Sequence, residues 1–309
     1  MDTDAAIEEK MSTAEASMSV EIKEYSFSNA DFERVRLLIR KTAGINLNAT
    51  KQNMVYSRLS RRLRVMGYAS FKAYLDDLES GHSDEWQEFT NALTTNLTSF
   101  FREEHHFPLL TQFIQSKSSQ PIKIWCAAAS TGEEPYSLAI TVSECFAGGT
   151  PNAKILATDI DTNVLETASA GVYAADGHKG LSEQRRNRFF LKGTGANAGK
   201  IRARPELRKL IEFAPLNLLS SEYAVPADFD VIFCRNVLIY FDKPTQYAVL
   251  KRLSRHLKPG GLLFAGHSEN FSDCRDIFRL RGKTVYERVD PRHSTAADQT
   301  IGLRTVLAQ

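Results

Sequence analysis

The sequence has little of what marks the more specialised classes of protein. Its 309 residues hold four cysteines, Cys126, Cys145, Cys234 and Cys274, with no CxxC pair and no metal-like cluster. Cys126 and Cys234 sit inside apolar runs, so reduced core thiols are expected rather than disulfides or metal ligands, which suits a cytoplasmic protein. No stretch free of Asp, Glu, Lys and Arg is longer than 13 residues (89–101). A membrane-spanning helix needs about 20 apolar residues, so direct membrane insertion is not expected. The N-terminus carries Asp2, Asp4, Glu8, Glu9 and Glu15 against Lys10, the reverse of a secretory leader. Charge of one sign is lacking too: 39 Lys and Arg against 37 Asp and Glu leave +2, so a basic partner surface has to be local. There is no internal repeat, and neither GxGxxG nor GxxxxGK[ST] occurs, which argues against a cradle for a pyrophosphate or triphosphate.

What is present is ordinary globular material, 42% hydrophobic and 25% charged. The length suggests about two domains at roughly 150 residues each. Residues 1–24 are small, polar and acidic and read as a disordered tail, and 291–309 read as a second tail. Residues 25–93 read as a helical domain. Phe32, Val35, Leu38 and Ile39 follow a possible cap at Ser28, Gly44 punctuates, and 51–66, 71–78 and 85–93 give further amphipathic stretches.

A linker over 94–121 leads to a change of pattern. From 122 to 290, short apolar runs (122–129, 154–158, 210–215, 229–234 and 261–265) alternate with helical stretches. That alternation predicts βαβ units and a parallel sheet covered on both faces. The segment around Phe189, Phe190 and Leu191, a glycine-rich turn at 193–199 and 201–204 read as a hairpin outside that sheet.

Ligands of such sheets sit beyond the carboxyl ends of the strands, so the loops after the apolar runs are the candidate sites. After the first run come Ser130, Thr131, Gly132, Glu133, Glu134 and Pro135, a tight turn and helix start with capping-box spacing from Ser130 to Glu133. One glycine and two carboxylates repel a phosphate but suit a cofactor bearing a cation. After the second run, Asp159 is placed to take ribose hydroxyls and Asp161 to cap a helix. A ribose without a pyrophosphate points to S-adenosylmethionine rather than NAD or ATP.

Arg235 and Asn236 at the end of the fourth run have no core reason to be there. Asn96, Thr98 and Arg102 stand in a polar stretch beside two phenylalanines. His105 and His106 read as a surface helix. Ser268 beside His267 lacks a nucleophile elbow, which sets aside a hydrolase.

Taken together, 94–103, 127–137, 157–165, 233–242 and 257–270 resemble, in order and spacing, the chemotaxis receptor methyltransferase family of bacteria, the CheR type, over roughly 26–289. The resemblance implies an α/β fold: an N-terminal helical bundle, then a doubly wound S-adenosylmethionine-dependent methyltransferase sheet with a small antiparallel β subdomain inserted at 188–213. It implies methyl esterification of receptor glutamates, with S-adenosylhomocysteine as product. The family's cofactor contacts fall on Asn96, Thr98, Arg102, Glu133, Asp159, Asn217, Leu218, Arg235 and Asn236. Tyr240 matches a family tyrosine near the transferred methyl, so Arg102 and Tyr240 are the candidate catalytic pair.

A glutamate has a pKa of about 4.3 and is ionised at neutral pH, so no general base is required. Lys51, Arg58, Arg61, Arg62 and Arg64 give positive charge with no acid between them, and Arg58, Arg61 and Arg62 share a helix face. Val55, Leu59, Leu63 and Met66 are expected on the opposite, bundle side. With Arg64 these arginines are the expected dock for the acidic methylation helices of the receptors' cytoplasmic domains. The inserted subdomain is a further candidate dock, for a receptor C-terminal peptide. The rival readings are a nucleic-acid methyltransferase, disfavoured by the few aromatics beside the basic helix, and a non-catalytic S-adenosylmethionine-binding regulator.

Overall fold

A computed structural model describes residues 24–117, 121–146, 151–176 and 180–289. The two expected tails lie outside these residues, apart from Glu24.

Helix α1 (Asn29–Ala43) opens on a capping box: Asp31 N donates to the Ser28 hydroxyl, and Ser28 N to the Asp31 carboxylate. It closes at Gly44, whose φ of 72° puts it in the left-handed region. A side chain there would also strike the Phe241 ring, 2.8 Å from the place of a Cβ. Helix α2 (Gln52–Met66) buries Val55, Leu59 and Leu63 at a spacing of four. Met66, expected to face inward, is 46% exposed: it is the last helical residue, just before the Gly67 cap. Helices α3 (Phe71–Glu79) and α4 (Trp86–Leu93) complete the bundle, whose core joins Phe32, Ile39, Leu59, Tyr74 and Phe89.

The chain continues through α5 (His106–Ser116), β1 (Ile122–Cys126), α6 (Glu133–Cys145), β2 (Ala153–Asp159) and α7 (Thr162–Ala170). Next come β3 (Val172–Ala174), α8 (Glu183–Phe189), β4 (Phe190–Lys192), β5 (Lys200–Ala203), α9 (Pro205–Arg208) and β6 (Ile211–Pro215). The rest is β7 (Phe229–Phe233), α10 (Lys243–His256), β8 (Leu257–Phe264), β9 (Phe278–Gly282) and β10 (Val285–Arg288).

The main sheet has the order β6-β2-β1-β7-β8-β10-β9. Its first five strands are parallel, as the alternation predicts. The last two add an antiparallel hairpin that the apolar-run reading missed. β9 is half exposed, with Leu280 59% exposed, so it never forms the continuous apolar run of a doubly covered strand. Successive side chains of the central strands serve opposite cores. Ile124, Cys126 and Phe233 join the core shared with α5 and α6, while Trp125, Ile232 and Cys234 join the core shared with α10.

All four cysteines are free thiols. The small sheet has the order β3-β5-β4, both pairings antiparallel. It reaches back to β3, ahead of the expected insertion at 188–213, while Ile211 and Phe213 run in edge strand β6 of the main sheet.

Candidate functional site

A cavity of about 430 Å³ opens at the carboxyl ends of β1, β2 and β7. The helical domain closes one wall of it through the α1–α2 connection, including Ile45, Asn46 and Asn48. Three contacts seat that wall. Asn46 N donates to the Tyr240 carbonyl at 3.2 Å, Asn217 Nδ2 donates to the Thr42 carbonyl at 2.7 Å, and Arg40 pairs with Asp242 at 2.9 Å.

Of the residues expected to hold a cofactor, Asn96, Thr98, Arg102, Asp159, Asn217, Leu218, Arg235 and Asn236 line this cavity, and so does Tyr240. Glu133 does not. Its carboxylate accepts from the Thr131 hydroxyl at 2.6 Å, and its neighbour Glu134 lines the cavity instead. The two acids lie about 100° apart on the first turn of α6, so only one of them faces the strand ends. The capping box expected from Ser130 to Glu133 does not form either: the helix cap is Gly132, without a side-chain bond. Ser130 holds a left-handed backbone (φ 48°) that sends its N–H to Asp159 Oδ2 at 2.8 Å and its hydroxyl to the Asn96 carbonyl at 3.0 Å.

Asp159 ends β2 and also accepts from Asp161 N at 3.0 Å. Burial pushes its carboxyl above the ordinary range against the pull of these backbone N–H groups. Asp161 caps α7, as expected, through Asn163 N and Val164 N. Its other oxygen accepts from the Thr94 hydroxyl at 2.6 Å and from Asn96 Nδ2 at 2.7 Å, which fixes the segment ahead of Arg102. Arg102 Nη1 donates to the Leu97 carbonyl at 2.9 Å, and not to the adjacent acids.

Arg235 is buried, and both of its terminal nitrogens are engaged. Nη1 meets Glu134 at 2.5 Å, and Nη2 meets the Arg102 carbonyl at 2.6 Å and Glu103 at 3.3 Å. Burial opposes its charge, but the two carboxylates outweigh this and hold the guanidinium above its usual pKa. Glu103 in turn accepts from His267 N at 3.1 Å and Asn236 Nδ2 at 3.3 Å. Although its own burial pushes the other way, these donors and Arg235 keep its carboxyl below the ordinary range.

His106, expected on the surface, is fully buried. Its Nε2 faces the Lys283 carbonyl at 3.0 Å, and burial, followed by the nearby Arg235 charge, lowers its pKa to about 4. The ligand atoms of Glu103, His105 and His106 lie within 4.8 Å of one another, but the Glu103 oxygen facing that group is the one Arg235 approaches, so a positive charge is already there.

The expected docking arginines separate. Arg58 donates to the Ala92 and Thr94 carbonyls at 3.2 and 2.5 Å, tying α2 to the end of α4. Arg62 makes a two-pronged pair with buried Glu85, and Arg64 pairs with Glu24. Arg61 is exposed and has no ion pair or hydrogen bond among the described residues.

Sequence reasoning passed over Glu103, Glu134 and Glu269 as partners of the cofactor-side loops. The available signal was their place beside strand ends, where a buried acid needs a partner.

The donor set fits S-adenosylmethionine. Arg102 matches a carboxylate, Asp159 matches ribose hydroxyls, and no glycine-rich phosphate cradle is present among the described residues. Comparison with known proteins agrees. Residues 30–94 match the CheR methyltransferase all-alpha domain, and residues 96–287 match the CheR methyltransferase SAM-binding domain. The chain is 53% identical over 262 residues to a chemotaxis protein methyltransferase of Escherichia coli K12, spanning 84% of this chain and 91% of that protein. It is 54% identical over 260 residues to that of Klebsiella aerogenes, spanning 84% and 89%. It is 50% identical over 266 residues to chemotaxis protein methyltransferase 2 of Pseudomonas aeruginosa, spanning 85% and 95%.

Proposed function

The chain belongs to the CheR methyltransferase family, with S-adenosylmethionine as its cofactor, and on that premise we propose that it esterifies glutamate side chains in the cytoplasmic domains of chemoreceptors. The observation that carries the reading is the cavity itself: charges of both signs and Tyr240 line it, and no histidine does among the described residues. A substrate carboxylate arrives ionised, so a base is not needed. S-adenosylmethionine supplies an activated sulfonium methyl.

What remains for the protein is alignment and exclusion of water. Asp159 holds the ribose, Arg102 and Tyr240 orient the reacting groups, and the α1–α2 connection covers the site. Arg102 is partly engaged by the Leu97 carbonyl. That moderates its grip on the incoming carboxylate, a grip which, if tight, would stabilise the ground state and raise the barrier.

Receptor docking falls on α2. Lys51 and Met54 reach the cavity, and Arg61 lies on the same helical stretch, roughly 15 Å further along at 1.5 Å per residue. An acidic helix can therefore meet Arg61 while presenting one glutamate to the cavity. The open edges of β3 and β4, where Val172 and Leu191 are partly exposed, offer main-chain pairing to a receptor C-terminal peptide. The four free thiols fit the reducing cytoplasm, and among the described residues no helix is long and apolar enough to cross a membrane.

The test is incubation with methyl-labelled S-adenosylmethionine and receptor-bearing membranes. Protein-bound label released by mild base as methanol is the expected result. Label that is stable to base overturns the ester assignment.

A further inference from the structure

We propose that Glu269 is a positioning residue of the methyl-transfer site, a role that rests on the methyltransferase reading above. Glu269 follows β8, is 4% exposed and makes no ion pair among the described residues. Its carboxylate instead collects four backbone N–H groups. Oε1 accepts from Val237 at 3.1 Å and Leu238 at 2.8 Å, and Oε2 accepts from Asn236 at 3.0 Å and Gly266 at 2.5 Å. Three consecutive amides of one loop thus point at one carboxylate borne by another, an arrangement that requires a defined backbone path. Asn236 has φ 58°, the left-handed region that a non-glycine residue occupies at a cost. Bonds to a buried charge are the strong kind and offset that cost.

The segment so held leads directly into the turn Leu238–Tyr240 and places Asn236 and Tyr240 in the cavity wall. Gly266 adds a steric half to the same lock. A Cβ there would lie 2.4 Å from Asn236 Nδ2 and 2.8 Å from its N. Glu269 itself does not line the cavity, so it acts through the loop and not on the reacting atoms.

The isosteric Glu269→Gln substitution is the sharp probe. Both oxygens accept two N–H groups, so whichever one becomes an amide nitrogen leaves two buried donors facing a third donor. Receptor methylation by the variant should fall roughly tenfold to a hundredfold in kcat, the scale of loss expected from a small misplacement. The dissociation constant for S-adenosylmethionine, measured by calorimetry, should rise by a clearly smaller factor than kcat falls: Asn236 shifts with the loop, whereas Asp159 and Arg102 are held by contacts that do not include Glu269. Amide exchange at 236–238 should quicken.

Gly266→Ala displaces the same loop without removing the carboxylate and should show the same split, so it carries the test if Glu269→Gln does not fold. Wild-type turnover in either variant with quickened exchange overturns the proposal, as does unchanged exchange. A kcat and a cofactor affinity that fall in parallel mean general destabilisation and overturn it too. If the wild-type enzyme itself transfers no label to receptors, the substrate reading fails, and exchange at 236–238 still decides whether Glu269 holds the loop.

Discussion

The basic helix of the N-terminal domain and the buried charges at the carboxyl ends of β1, β2, β7 and β8 use the same residue types in opposite ways. On α2 the arginines lie along a surface, and their partners are an exposed acid (Glu24), a buried acid at the bundle edge (Glu85) and two helix-end carbonyls. One of them, Arg61, has no polar partner among the described residues. At the strand ends each charged group is held by other charges or by backbone amides: Arg235 by Glu103 and Glu134, Glu269 by four N–H groups, Asp159 by two. A charge in solvent attracts a partner, whereas a charge in a dry interior has to be built into a network and then acts as scaffolding. On the function proposed above, the first region would recognise a mobile acidic helix and the second would hold the cofactor still.

The comparison can be broken most forcefully at Arg235. Arg235→Ala leaves buried Glu134 and half-buried Glu103 without their cation and should cost about 3–5 kcal/mol in chemical denaturation. The corresponding change at exposed Arg64 should leave the denaturation midpoint essentially where it is. Equal effects at the two positions would remove the distinction.

Acid tests the same network through His106. Its folded-state pKa of about 4 lies below the ordinary 6.5, so the contribution of its neutral form is complete above about pH 6.5 and is lost as pH falls from there towards 4. Unfolding free energy should decline over that window by up to about 1.4 kcal/mol per pH unit, and His106→Gln should flatten the decline.

Asp159→Ala should weaken S-adenosylmethionine binding by about 1.5–3 kcal/mol, tenfold or more by calorimetry. Unchanged affinity would refute the ribose assignment.

The finest discrimination is within α2. Arg62→Ala leaves buried Glu85 alone and should cost about 1–3 kcal/mol of stability. Arg61→Glu should change stability by less than about 0.5 kcal/mol yet slow receptor methylation, as salt-dependent initial rates would show. A stability loss at Arg61, or normal methylation by its variant, would place the dock elsewhere.

Much of this architecture was legible in the chain itself. The Ser28 cap, the 4-residue rhythm of Val55, Leu59 and Leu63, and the apolar runs 122–129, 154–158 and 229–234 define helices and doubly covered strands, because periodicity reflects which faces must leave water. The loops beyond those runs were identifiable for the same reason, and Asn96, Arg102, Asp159, Asn236 and Tyr240 do converge on one cavity. The half-exposed hairpin of β9 and β10 escaped notice because its few buried residues, Phe278, Val285 and Tyr286, make no continuous apolar run.

Tertiary structure alone decided how the polar residues are used. Glu134 rather than Glu133 faces the cavity because of the angle at which α6 leaves Gly132. Arg58 and Arg62 are committed inward because α4 and Glu85 lie within reach of α2. Arg235 and Glu269 became scaffolding because strands distant in sequence brought carboxylates and amides together away from water. Local sequence determines which side chains need burial, since that depends on their own contact with solvent. Which buried charge meets which partner depends on the distances between elements, and those exist only in the folded chain.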